Sequence, residues 1–339
     1  MKRESVEIIE PVDLCLKNRK LNPSALGWSR KPLIRVNLRG HFFRKKKWNY
    51  WAVFNKDCLF SATTSNIDYL GIVFCYFLDF QTKEFIEETV LTPFGKGCNL
   101  PDGVDETVVF DSKRMKVSFV RYSGKTIVET QLTTSEKKNI KAHIEVLHGN
   151  SESLNVVVPW SWNRFQYTSK QFCLSAQGEI TVSDKKYNLD LKETFATLDF
   201  GRGVWKYSTF WNWASFAVRL NDGLELGANL GAGWTDNTGT NENAILINGK
   251  LTKILSDVIF QYDKHDLMKP WHIYSKDSDD VDLEFQPFYH RIAKTNALLL
   301  YSKVDQMIGT FKGFVRDDNK KIYIVRDAIG WAEQHRARW

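Results

Sequence analysis

Five cysteines in 339 residues are few, odd in number and scattered. Cys15, Cys58, Cys75, Cys98 and Cys173 form no C-x-x-C pair, so no disulfide framework, zinc knuckle or redox couple is indicated, and buried free thiols are expected. The charged start Met1-Lys2-Arg3-Glu4-Ser5 has no apolar stretch behind it, and no Asn-x-Ser/Thr sequon occurs. A cytoplasmic location is the expectation. The longest apolar run, Tyr69 to Leu78, is about half the length of a membrane-spanning helix. Signatures of several chemistries are also missing. Gly124-Lys125-Thr126 has Phe119 where a phosphate loop needs its leading glycine, and Gly231-x-Gly233 continues to Asp236 where a dinucleotide fold needs glycine. Neither His-Glu-x-x-His nor Gly-x-Ser-x-Gly is present, so no metal and no cofactor is expected. Without a helix-turn-helix, zinc-finger or RNA-recognition signature, the net charge of +7 reads as surplus surface lysine, and no nucleic-acid partner is expected.

What is abundant is aromatic. Twelve Trp and 22 Phe favour strands, because flat bulky side chains suit a half-buried pleated surface. Strands are expected at Arg35 to Phe43, Trp48 to Phe54, Ile67 to Phe80, Lys116 to Tyr122, Thr126 to Thr133, Lys141 to Leu147 and Glu179 to Val182. Further on, Ser215 to Leu220 and Leu224 to Leu230 flank Asn221-Asp222-Gly223, and Ala244 to Asn248 and Lys250 to Ile254 meet at Asn248-Gly249. Val281, Leu283, Phe285 and Pro287 alternate with Asp282, Glu284 and Gln286, the period of a strand with one wet face. The length suits two units, and two runs of hairpins argue for two antiparallel barrels or sandwiches in tandem. The seam is placed near 185, giving units 1–185 and 186–339, with the pocket in the second. Arg44-Lys45-Lys46-Lys47 is expected to be a solvated basic turn, with weak contact to an anionic membrane surface as the alternative.

The polar and aromatic groups concentrate between Asp199 and Trp213. Asp199 and Arg202 are candidates for an ion pair that orients the polar end of a ligand, with Asp199 as the proton-handling group if there is catalysis. In an extended chain Asp199, Trp205 and Tyr207 share one face, as do Trp211 and Trp213 about Asn212. Aromatic walls with a few fixed polar groups suit a lipid or isoprenoid, a sugar-stacking surface, or simply a filled barrel bottom. Trp234 opens a polar loop in which Asp236 and Glu242 could act as paired carboxylates or only as turn formers. Lys269 and Trp271, and Glu333 and His335 of an aromatic tail, complete the candidates.

Phe165-Gln166-Tyr167-Thr168-Ser169, Gly178-Glu179-Ile180-Thr181-Val182, Asp199-Phe200-Gly201-Arg202-Gly203, Trp211-Asn212-Trp213 and Leu220-Asn221-Asp222-Gly223 together resemble the middle of the AttH and carotenoid 1,2-hydratase group. Nearly the whole chain resembles an uncharacterised family, domain of unknown function 2804. Its motifs are Thr92-Pro93-Phe94-Gly95, Val158-Pro159-Trp160-Ser161, Phe200-Gly201-Arg202-Gly203-Val204-Trp205, Gly233-Trp234-Thr235-Asp236 and Gly330-Trp331-Ala332-Glu333. The resemblance implies an all-β fold of two tandem lipocalin-like antiparallel β-barrels and no particular activity. Where the hydratase group has Asp-His-x-Trp-Gly, this chain keeps Asp199 and Gly203 but has Phe200 for His and Arg202 for Trp, which argues against carotenoid-type hydration. The expected function is binding of a hydrophobic or amphipathic small molecule, with or without cofactor-free isomerisation, cyclisation or hydration. A glycan-binding or carbohydrate-active protein and a non-catalytic lipid carrier are the alternatives.

Overall fold

The computed structural model describes residues 6–297 and 300–339. Among the described residues the regular structure is strand apart from one 3-10 turn at Pro23–Ala25, and no helix is long and apolar enough to cross a membrane. Two large sheets, antiparallel throughout, form two lipocalin-like barrels in tandem. The main path of the first runs Phe85–Pro93, Leu70–Asp79, Cys58–Asn66, Lys45–Phe54, Phe195–Val204, Arg164–Val182, Asn139–Leu147, Lys125–Thr133, Met115–Tyr122, Val108–Asp111. The second runs Lys250–Lys253, Ala244–Ile247, Glu225–Ala232, Ser208–Arg219, Ile322–Arg338, Leu300–Arg316, Val281–Ala297, Trp271–Ser275, Val258–Gln261.

Strand alternation feeds three cores. In Lys45–Phe54, Trp51 and Val53 point into the first barrel while Tyr50, Ala52 and Phe54 point at the second sheet. In Ser208–Arg219, Ala214 and Phe216 fill the second barrel, whereas Trp211 and Trp213 turn back toward the first. Both barrels are therefore packed inside, and a third, Trp-rich core joins them. All five cysteines are buried and free.

Three expectations are corrected. The chain passes between sheets at Trp205–Tyr207 rather than near 185, because Phe195–Val204 pairs on both sides within the first sheet, with Arg164–Val182 and with Lys45–Phe54. The basic run is no solvated turn: Lys45, Lys46 and Lys47 begin a strand, and each finds a partner. Lys45 Nζ lies 3.6 Å from Asp68, Lys46 donates to the Ile67 carbonyl at 3.3 Å, and Lys47 meets Asp102 at 2.6 Å. Burial pulls Lys46 down to about 8. The strand expected over Arg35 to Phe43 is limited to Ile34–Arg35, whose partner Val12–Asp13 is only two residues long, and left-handed backbone at His41 and Phe43 turns the chain further on.

Gly201 and Gly203 are explained by close approach. A Cβ at Gly203 would lie 2.1 Å from Gln166 Oε1 and 2.4 Å from the Phe165 carbonyl oxygen, and one at Gly201 would lie 2.2 Å from the Trp48 ring. The gap admits Gln166, whose Oε1 accepts from Trp205 Nε1 at 2.7 Å. Gly203→Ala is expected to lower stability by about 1–3 kcal/mol in urea unfolding, since a backbone carbonyl must move.

Candidate functional site

Between the two barrels lies a cavity of about 230 Å³. The first sheet supplies Trp48, Tyr50, Phe74, Lys170 and Asp199. The second supplies Trp211, Trp213, Arg291, Gln306, Glu333 and His335, and the segments outside the strands supply Trp205, Trp234, Glu242 and Trp339. The chamber thus belongs to neither barrel alone, contrary to the expectation of a pocket in the second half.

Lys170 stands at one wall. Direct register places it opposite Asp199, and its Nζ lies 2.8 Å from Asp199 Oδ1 and 3.1 Å from Glu242 Oε2, with its side chain only 5% exposed. Nζ also sits 4.7 Å from the centre of the Trp213 ring, a cation–π contact. Burial disfavours the ammonium, yet the two carboxylates more than offset it and hold Lys170 above its usual value. Glu242 moves up, chiefly because it is buried and secondarily because Asp199 is near, with Lys170 and Trp234 opposing. Its Oε1 accepts from Trp234 Nε1 at 2.6 Å. Its Oε2 has the lysine as ion-pair partner without hydrogen-bond geometry. Trp234 in turn stacks on Trp205, with centroids 5.3 Å apart.

A second acid faces the same space under different control. Glu333 accepts from Trp211 Nε1 at 3.1 Å and from Gln306 Nε2 at 3.3 Å, and Gln306 is held by Tyr76, which pairs with Tyr50. Burial pushes the Glu333 carboxyl up to about 7, with the Trp211 N–H and the Arg291 charge restraining it and Asp199 adding to the rise. Arg291 is itself committed to Glu87 at 2.5 Å and lies 4.2 Å from the Tyr76 ring centre. His335 packs at a tilt against Trp211, ring centres 4.0 Å apart, and meets Ser302 Oγ at 2.8 Å; burial pulls its imidazole down to about 3, so it is neutral. One acid cluster clamped by a cation and one carboxyl that titrates near neutrality therefore share a chamber.

The structure brings Asp199, Trp205, Trp211, Trp213, Trp234, Glu242, Glu333 and His335 together and disperses the other candidates. Arg202 points into the first barrel, away from Asp199, because adjacent strand residues face opposite ways. Its guanidinium donates to the carbonyls of Pro101, Trp48 and Gly201 and to Asn49 Oδ1, and lies 3.8 Å from the Phe200 ring centre. Burial lowers it to about 9. The expected Asp199–Arg202 pair is thus an Asp199–Lys170 pair. Asn212 faces away from the chamber, donating to Tyr262 Oη and the Glu333 carbonyl, and Trp271 is buried in the second barrel's core. Tyr207 is exposed, because the strand ends at Val204 and the alternation stops. Asp236 caps its own turn through the Gly233 N–H, which separates it from Glu242, and Lys269 pairs with Asp263 at the surface. Lys170, Arg291, Glu87, Gln306 and Tyr50 were not singled out from sequence; register opposite Asp199 was the available signal for Lys170. Among the described residues no cluster of three or more His, Cys, Asp or Glu side chains is placed to hold a metal ion.

The family model described as Domain of unknown function (DUF2804) matches residues 5–339. Among curated proteins none matches. Similar solved structures include a putative AttH from Nitrosomonas europaea, 13% identical over 86% of this chain and 92% of that one, with a TM-score of 0.49. Kievitone hydratase from Nectria haematococca is 9% identical over 86% and 88%, TM-score 0.44, and CghA is 8% identical over 87% and 88%, TM-score 0.48.

The Glu333 carboxyl gives a pH signature. Its folded value near 7 exceeds the ordinary 4.5, so the folded state holds the extra proton between those values and loses that stabilisation as pH rises through 7. Glu333→Gln removes the penalty. Urea unfolding of variant and parent across this range is expected to show the variant gaining relative stability toward high pH, by roughly 3 kcal/mol at most.

Proposed function

This chain belongs to the DUF2804 family, whose description names no activity, and we propose that it encloses an apolar or amphipathic small molecule between its two barrels and moves a proton on it without a cofactor. The observation that carries this reading is Glu333: a carboxyl in the wall of an aromatic chamber, protonated just below neutrality and able to ionise just above it. The volume, about 230 Å³, suits a compact molecule or one ring-bearing end of a longer one. Sequence placed the proton-handling role on Asp199. Its ion pair with Lys170 suits it better to orienting a ligand hydroxyl or a water.

In the enzymatic form of the reading, neutral Glu333 gives its proton to an electron-rich carbon or carbonyl oxygen of the ligand. The resulting cation then returns a proton to the Glu333 carboxylate in one of three ways: from a neighbouring carbon, from a carbon of the ring it has closed, or from a water that has added to it. Each course leaves the protein unchanged. The indole of Trp211, which lines the chamber beside Glu333, would lie next to the developing positive charge. A sugar platform is not favoured, because Trp205, Trp213 and Trp234 are buried and pack edge-on or stacked against other aromatic rings, leaving no open indole face for a pyranose.

Native mass spectrometry followed by organic extraction is expected to find an apolar compound retained by the purified chain. The neutral probe N-phenyl-1-naphthylamine is expected to brighten on binding. Ala293→Phe, which narrows the chamber from its wall, should weaken the probe about tenfold or more. Equal binding by this variant, or none by the parent, would reject the chamber as the ligand site. Once a substrate is known, Glu333→Gln should keep the ligand and lose turnover.

A further inference from the structure

Four segments meet at one end of the molecule: 39–45, 66–70, 93–97 and 204–208. They are tied by the Lys45 N–H to Asp68 Oδ2 at 3.1 Å, the Phe94 N–H to the Tyr69 carbonyl at 3.0 Å and the Trp205 N–H to the Arg44 carbonyl at 3.3 Å. Three phenylalanines stand out from this end into solvent: Phe42, 79% exposed, Phe43, 60%, and Phe94, 75%. Two of them carry a further cost. Phe43 has φ 61° and Phe94 φ 53°, the left-handed region that bulky L-residues avoid and Asn or Gly occupies readily. Large apolar side chains on strained backbone at adjacent exposed turns are unfavourable twice over in water, and such outliers point to function when they coincide.

Charge selects the occupant. The same segments hold Arg39, Arg44, Lys45, Lys96 and Lys206, and their one acidic residue, Asp68, is already paired with Lys45. Lys45 Nζ, held by Asp68 and the Gly40 carbonyl, also lies 5.5 Å from the Phe42 ring centre. Ile67 and Trp205 belong both to this end and to the chamber wall, which places the chamber directly behind it. We infer that this end docks on an anionic lipid bilayer, Phe42, Phe43 and Phe94 entering the headgroup boundary while Arg39, Arg44, Lys96 and Lys206 meet the lipid phosphates. This replaces the basic-turn contact, whose lysines are occupied within the protein, and it stands whether or not the chamber binds a ligand.

The test uses the full chain in flotation with phosphatidylcholine vesicles that contain phosphatidylserine, and with phosphatidylcholine alone. The parent is expected to float with the anionic vesicles, less with the neutral ones, and to be released by salt. The triple variant Phe42→Ser, Phe43→Asn, Phe94→Asn should bind about tenfold more weakly or worse, with a Tm equal to or above the parent's because Asn relieves the left-handed backbone. Should that variant misfold, Arg44→Glu with Lys96→Glu, which leaves every Phe in place, must remove the preference for phosphatidylserine. Ala293→Phe must float as the parent does, which separates this face from the chamber. No association by the parent, or unchanged association by a folded triple variant, overturns the proposal. So does a concentration-dependent dimer, seen by size-exclusion chromatography and abolished by the triple variant, without vesicle binding.

Discussion

A single buried ammonium organises the space between the two barrels. Lys170 arises from the first sheet, meets Asp199 on the neighbouring strand and reaches Glu242 in the loop that leads into Ala244–Ile247 of the second sheet. Two carboxylates this deep are affordable only beside a cation, and a cation this deep only beside carboxylates. Glu242 then fixes the Trp234 indole, Trp234 stacks on Trp205, and Trp205 is held by Gln166 through the gap left by Gly203. The register of one strand pair thus propagates into the aromatic wall.

Because both barrel interiors are filled, ligand space must lie between them, and there the two acid groups differ in a useful way. Glu242 has the Lys170 ammonium at ion-pair distance, whereas Glu333 meets the Trp211 and Gln306 N–H groups and a cation already committed to Glu87. Burial raises both Glu242 and Glu333, and what separates them is the group each faces, an ammonium for one and N–H donors for the other.

Much of the fold was legible, because hydrophobic alternation and the hairpin signals at Asn221-Asp222-Gly223 and Asn248-Gly249 are local. The site was legible in part. The Trp residues and Asp199, Glu242, Glu333 and His335 are conspicuous by type, but which face they share depends on register across strands distant in sequence. Lys170 sits in Thr168-Ser169-Lys170-Gln171, which reads as an outward polar stretch until its strand is paired with Phe195–Val204. Arg202 was misassigned for the complementary reason: three positions from Asp199 along a strand is the opposite face. Arg291 lies beyond the bulge between Pro287 and Tyr289, which interrupts the alternation that identified the strand's first half.

The central claim, that Lys170 neutralises buried carboxylates across the barrel interface, is tested most directly by urea unfolding of Lys170→Met over a range of pH. Methionine keeps the volume of the stem and removes the charge. The account predicts a loss of about 3–5 kcal/mol near neutrality that shrinks on acidification, as Glu242, already raised by burial, takes up a proton in place of the missing cation. A loss independent of pH, or none at all, would contradict it.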